Sequence, residues 1–157
     1  MKSLVVEDDF TSRVVLQRFL AAYGPCEVAP DGRKGVERFC KALKSDQPYE
    51  LVCLDIMMPE MDGHEALQQI RAAENEQEIA EGDSVKVIIT SAAADLENVR
   101  AAARERCNAF IVKPYEKEKL IETLRSLDLI VGVKSDDDTE DGESATDANA
   151  SANPPSD

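Results

Sequence analysis

Histidine occurs once in the 157-residue chain, at His64, and the four cysteines, Cys26, Cys40, Cys53 and Cys107, are widely spaced with no CxxC pair. Neither a zinc site nor a redox pair is indicated, and all four thiols are read as reduced packing residues. Basic residues are scarce: 18 Lys and Arg stand against 32 Asp and Glu, a formal charge of −14. Binding to nucleic-acid phosphates needs clustered Lys and Arg that displace counterions, so no nucleic-acid partner is expected. Long hydrophobic runs are missing as well. No apolar stretch approaches the roughly 18 residues of a membrane helix, and the opening "MKSLVVEDD" turns acidic too early for a signal peptide. The expectation is a cytoplasmic chain with no membrane insertion.

What is present suits one domain with a sizeable core, since 43% of residues are hydrophobic and 32% charged. The composition changes abruptly near Gly132. From Val133 to Asp157 there is no aromatic and no large aliphatic residue after the first position, and eight acids face Lys134 alone, so half the formal charge lies here. Such a segment cannot bury enough apolar surface to fold. The division expected is therefore residues 1–132 as the folded domain and 133–157 as an acidic, disordered tail.

Within the first part, short β-branched runs alternate with longer segments of helical period. "SLVV" (3–6) precedes a stretch from about Thr11 to Tyr23 whose Val15, Leu16, Phe19 and Leu20 form one stripe, closed by Gly24-Pro25. "CEVA" (26–29) and the turn signal "PDG" lead into a helix through about Leu43. "LVCLD" (51–55) precedes a helix over about 64–74, "VKVIIT" (85–90) one over about 95–106, and "AFIV" (109–112) one over about 116–126. Runs such as "VIIT" and "LVCL" are continuous rather than alternating, the pattern of strands buried on both faces of a parallel sheet covered by helices. The polar stretch 72–84, "AAENEQEIAEGDS", is expected to be an extended or partly mobile link.

In an open parallel sheet, chemistry gathers at the carboxyl ends of the strands near the switch point in strand order. The first strand runs into Glu7, Asp8 and Asp9, the third ends on Asp55, the fourth on Thr90 and Ser91, and the fifth on Lys113 followed by Pro114. Singly, each such acid or hydroxyl is as readily a helix cap, and a lysine a solvated charge. Together, three carboxylates on one edge repel one another unless a cation neutralises them. With oxygen donors and no His or Cys cluster, that cation belongs to the hard class: Mg²⁺, with Mn²⁺ as the other fit.

These four stretches, "LVVEDDFTSR" (4–13), "LDIMMPEMDG" (54–63), "IITSAAADLENVRAAA" (88–103) and "FIVKPY" (110–115), resemble the receiver domain of two-component response regulators, in its single-domain, CheY-like form. The resemblance implies a doubly wound α/β fold: a five-stranded parallel sheet of order 2-1-3-4-5 with five flanking helices. It implies that Asp55 accepts a phosphoryl group from a histidine kinase or phosphotransfer protein. Asp8, Asp55 and the Met57 backbone carbonyl would bind Mg²⁺ directly, with Glu7 acting through water. Ser91, by its spacing from Lys113, would be the switch hydroxyl, Lys113 would contact the phosphoryl oxygens, and Pro114 would follow a cis peptide bond. Phe110 stands where a relay aromatic belongs, without a hydroxyl. Asp9 is read as helix-start charge, His64 as a surface residue, and Tyr115 either as an aromatic of the output face or as packing on the last helix.

Three functions compete. A phosphoryl-accepting switch that changes its affinity for an unidentified downstream protein, in chemotaxis or a phosphorelay, is implied by the resemblance; no output domain is seen, hence a stand-alone regulator, with slow self-dephosphorylation rather than enzymatic turnover. An aspartate-nucleophile phosphohydrolase is the enzymatic alternative, but Asp55-Ile56-Met57 lacks the second acid of an Asp-x-Asp pair. A constitutive binding module is the third, and Asp8, Asp55, Ser91 and Lys113 together argue against it.

Overall fold

The computed structural model describes residues 1–92, 97, 100–101 and 106–131. Five strands, β1 (Ser3–Val6), β2 (Cys26–Ala29), β3 (Leu51–Asp55), β4 (Lys86–Ser91) and β5 (Ala109–Val112), form one sheet. Its order is β2-β1-β3-β4-β5 and every pairing is parallel. Four helices among the described residues flank it: α1 (Phe10–Ala21), α2 (Gly32–Leu43), α3 (Gly63–Glu76) and α4 (Lys117–Ser126). The helix expected over 95–106 falls largely outside the described residues, as does the proposed tail.

The continuous apolar runs are buried on both sides of the sheet. Leu4, Val6, Val52, Leu54, Val87 and Ile89 pack with Phe39 of α2 and Leu67 and Ile70 of α3. Their neighbours in sequence, Val5, Cys53, Ile88 and Ile111, point the other way, onto Leu16 and Leu20 of α1 and Leu120 and Leu124 of α4. Each fully buried aliphatic contributes roughly 1.5–3 kcal/mol, so a slip of one residue, which would exchange the faces, is strongly disfavoured.

Short polar signals start the helices. Asp9, Asp31 and Asp62 each occupy an N-cap, accepting from the amides of Ser12 (2.8 Å), Lys34 (2.8 Å) and Glu65 (3.0 Å). Each such cap is worth about 1 kcal/mol relative to alanine. At the start of α3 the packing is close: a Cβ on Gly63 would lie 2.5 Å from the Asp55 carbonyl oxygen and 2.7 Å from the Ile56 Cα. Only glycine lets that helix end sit against the end of β3.

The stretch 72–84 departs from the expected extended link. The helix continues to Glu76, and a single 3-10 turn covers Glu81–Asp83. Its anchor is Glu74, only 2% exposed, whose carboxylate accepts from Arg71 Nη1 (2.9 Å) and the Val85 amide (2.7 Å). Arg71 also donates to the carbonyls of Val85 (3.0 Å) and Arg106 (2.7 Å) and to Asn108 Oδ1 (3.2 Å). A polar sequence here marks an internally paired network. His64 likewise is half-buried at the start of α3 rather than on the surface.

Candidate phosphoacceptor and metal site

Neighbouring strands in a sheet lie about 4.8 Å apart, and the register Val6↔Leu54 sets the residues following β1 beside the end of β3. The hydrogen-bond ladder continues to the site residues themselves. The Glu7 amide donates to Ala29 O (3.1 Å), the Ile56 amide to Thr90 O (3.0 Å) and the Lys113 amide to Ser91 O (2.8 Å). Backbone positions at the carboxyl edge are therefore as rigid as the sheet.

Alternation then assigns side chains to faces. Glu7 follows Val5, Asp55 follows Cys53, Thr90 follows Ile88 and Lys113 follows Ile111, all on the face covered by α1 and α4. Carboxylate oxygens of Glu7, Asp8 and Asp55 lie within 4.8 Å of one another. Glu7 is 1% exposed and Asp55 3%, while Asp8 is open to solvent. Lys113 Nζ lies 3.2 Å from Glu7 Oε1 and 3.3 Å from Asp55 Oδ1, bridging the two buried acids. The Met57 amide sits 3.4 Å from Asp55 Oδ1. Asp9, next in sequence to the cluster, is turned to its cap, and the Ser12 amide it accepts from lowers its pKa.

The electrostatics are unbalanced. Burial, then the Glu7 charge, push the Asp55 carboxyl up to about 7, with Lys113 opposing. Burial disfavours the charge on Lys113, but Asp55 and Glu7 outweigh it and raise its pKa. One ammonium does not compensate three carboxylates. An all-oxygen donor set, two-thirds buried and short of positive charge, fits a hard divalent cation such as Mg²⁺.

Two residues join the site that the sequence pattern did not assign to it. Tyr115 packs its ring in the α1/α4 core, and its hydroxyl donates to Glu7 Oε1 at 2.8 Å. Burial raises its phenol far above the usual range; the Thr90 hydroxyl works against this, and the Glu7 and Asp55 charges with it. Tyr115 follows the bend at Lys113–Pro114, where strand alternation no longer assigns a face. Arg13 donates to the Glu7 carbonyl (2.9 Å), closing the site beside α1; no periodicity marks it.

The other assigned residues lie at the rim. Ser91, the last residue of β4, is buried, and its Oγ has no hydrogen-bond partner among the described residues. By alternation it belongs to the face opposite Thr90. Phe110 is 46% exposed on the edge strand β5, on the side away from Lys113. The Lys113–Pro114 peptide bond is cis.

A wound five-stranded sheet with acids on its first and third strand ends and a lysine on its fifth defines the class of protein. The family model of the response regulator receiver domain matches residues 3–125, and the chain belongs to that family. Receiver domains are phosphoacceptor switches of two-component systems. Among curated relatives, the chemotaxis protein CheY of Listeria monocytogenes is 34% identical over 124 residues, 79% of this chain and 95% of the relative. The response regulator MprA of Mycolicibacterium vanbaalenii is 30% identical over 128 residues, 81% of this chain, which spans only 50% of that relative's length. Among solved structures, the receiver domain of a Pseudomonas aeruginosa sensor histidine kinase, with magnesium coordinated in its active-site cleft, is 25% identical with a TM-score of 0.63, covering 79% of this chain and 94% of that one.

Proposed function

We propose that this chain is a receiver switch that takes a phosphoryl group on Asp55 in a Mg²⁺-dependent reaction and then changes its affinity for a separate protein partner. The observation that carries this reading is the convergence of Glu7, Asp8 and Asp55 within 4.8 Å, bridged by Lys113. The magnesium in the related cleft supports the same cation here. Asp8, Asp55 and the Met57 carbonyl would hold it, and Glu7, whose oxygens already accept from Tyr115, Lys113 and the Asp9 amide, would act through water. The metal would neutralise charge on the phosphoryl oxygens.

An Asp55 oxygen attacks phosphorus in line, the new O–P bond forms as the P–N bond of a phosphohistidine donor breaks, and the electron pair returns to the imidazole. Such a transfer asks the protein mainly for positioning and charge neutralisation. Lys113, already against Asp55, supplies part of it. The buried Ser91 hydroxyl, without a partner among the described residues, is a donor for a phosphoryl oxygen; an unpaired buried hydroxyl costs about 1–3 kcal/mol, which that oxygen would relieve. Its movement, passed toward Phe110, would alter the face formed by β5 and α4. The likeness to the chemotaxis protein CheY of Listeria monocytogenes supports output through a protein partner, in chemotaxis or a relay, with a histidine kinase or phosphotransfer protein as donor. The phosphoryl bond is lost slowly rather than turned over. The region from Val133 to Asp157 is an acidic tail outside this switch.

The test is labelling with acetyl phosphate in the presence and absence of Mg²⁺. A one-to-one, base-labile label in wild type that is absent from Asp55→Asn supports the reading; equal labelling of that variant, or multiple turnover of small phosphate esters, overturns it.

A further inference from the structure

Glu7 stands in an unusual position among the site's acids. It is as buried as the core leucines, yet it shares one ammonium with Asp55: Lys113 Nζ reaches Glu7 Oε1 at 3.2 Å, Glu7 Oε2 at 3.3 Å and Asp55 Oδ1 at 3.3 Å. If an arriving phosphoryl group is to be met by Lys113, the lysine must leave Glu7. Abandoning a buried carboxylate is costly unless other donors remain on it. One remains on the backbone, the Asp9 amide at 3.2 Å from Oε2. The other is the Tyr115 hydroxyl, 2.8 Å from Oε1, the shorter and better formed of the two.

We propose that Tyr115 is a positioning residue of the phosphoacceptor site: its hydroxyl satisfies Glu7 and so releases Lys113 to the incoming phosphoryl group. The inference rests on the reading of Asp55 as phosphoacceptor. The phenol suits the task. Its ring is seated in the core between α1 and α4, so the hydroxyl is aimed without freedom to drift. It follows the turn after β5, two residues beyond Lys113, and any motion of Lys113 is made relative to a fixed donor close in sequence. Phenylalanine at this position would leave the packing unchanged and Oε1 with Lys113 alone. Glu7 would then hold the lysine more tightly, and Lys113 would be slower to serve Asp55.

The experiment compares wild type, Tyr115→Phe, Lys113→Met and the double variant, each followed by rate of labelling with acetyl phosphate across a Mg²⁺ titration. Tyr115→Phe should lower the rate at saturating Mg²⁺ roughly three- to ten-fold, the range of one ordinary net hydrogen bond. The Mg²⁺ concentration at half-saturation should move less than about two-fold, and thermal unfolding should be unchanged. Because Tyr115 acts through Lys113, adding Tyr115→Phe to Lys113→Met should cost nothing further, a non-additivity that a merely structural role would not produce. An unaltered rate in Tyr115→Phe, a loss cured by more Mg²⁺, or additive losses in the double variant would each overturn the proposal. Those outcomes leave Asp55 labelling intact; if instead Asp55→Asn keeps its label, the underlying reading fails and this inference with it.

Discussion

Two buried charged groups occupy opposite ends of the sheet, and they differ in how their charge is settled. At the amino end of β4, Arg71 faces Glu74 one to one, and both Glu74 oxygens accept hydrogen bonds internally, from the guanidinium and from the Val85 amide. At the carboxyl end, Glu7 and Asp55 share Lys113 with the exposed Asp8 beside them, and Asp55 is pushed up to about 7. Burial is similar, with Glu74 at 2% exposure and Asp55 at 3%. Burial therefore does not distinguish a structural carboxylate from a reactive one; charge balance does. A cluster complete in itself stabilises the fold, and a cluster left negative is built for something that arrives.

The comparison can be broken most sharply at Asp55. Asp55→Asn should abolish labelling by acetyl phosphate altogether, while raising the unfolding temperature of Mg²⁺-free protein, because it removes one of three repelling acids; calorimetry with EDTA reads the second effect. A lower melting temperature would contradict the charge imbalance.

At the other end, Arg71→Met should destabilise by about 3–5 kcal/mol in urea unfolding, since it strands a buried Glu74 charge. Replacing both, Arg71→Met with Glu74→Gln, should cost distinctly less than the single change. Equal losses would mean that the pair does not act as a unit.

Asp8, exposed but within the acid cluster, should matter to metal and little to folding. Asp8→Asn is expected to weaken Mg²⁺ binding about ten-fold or more by isothermal calorimetry, whereas Asp9→Ala should leave it within two-fold and cost only about 1 kcal/mol of stability, the worth of an N-cap.

The same imbalance carries a pH dependence. Asp55 titrates near 7 in the folded chain and near 3.9 when unfolded, so between those values the native state binds the more protons. Stability of Mg²⁺-free protein contributed by this group is then full below about pH 4 and lost as pH rises toward 7. Saturating Mg²⁺ or the Asp55→Asn change should flatten that slope; a slope unaltered by either would assign it to other groups.

Strand-to-helix alternation was legible because burial on both sides of a parallel strand leaves an uninterrupted apolar run, as in Val52 to Leu54 and Val87 to Ile89. The acids at strand ends were legible for the same reason: a charge interrupting such a run stands out, and Glu7, Asp55 and Lys113 all do. The stretch 72–84 was not. Polar residues facing water and polar residues facing one another have the same composition, so Glu74 fell within a stretch read as a link when it is paired inside with Arg71.

The sequence by itself determined the order of elements, the faces of each strand and the Asp caps of α1, α2 and α3, because these depend on neighbours within a few residues. Only the tertiary structure decided which groups meet. Tyr115 and Glu7 lie 108 positions apart and Arg71 and the Arg106 carbonyl 35, and periodicity names a face without naming what stands across from it. Sheet order and packing bring Tyr115 over Glu7 and Lys113 between Glu7 and Asp55, and the chemistry of the site follows from those distances.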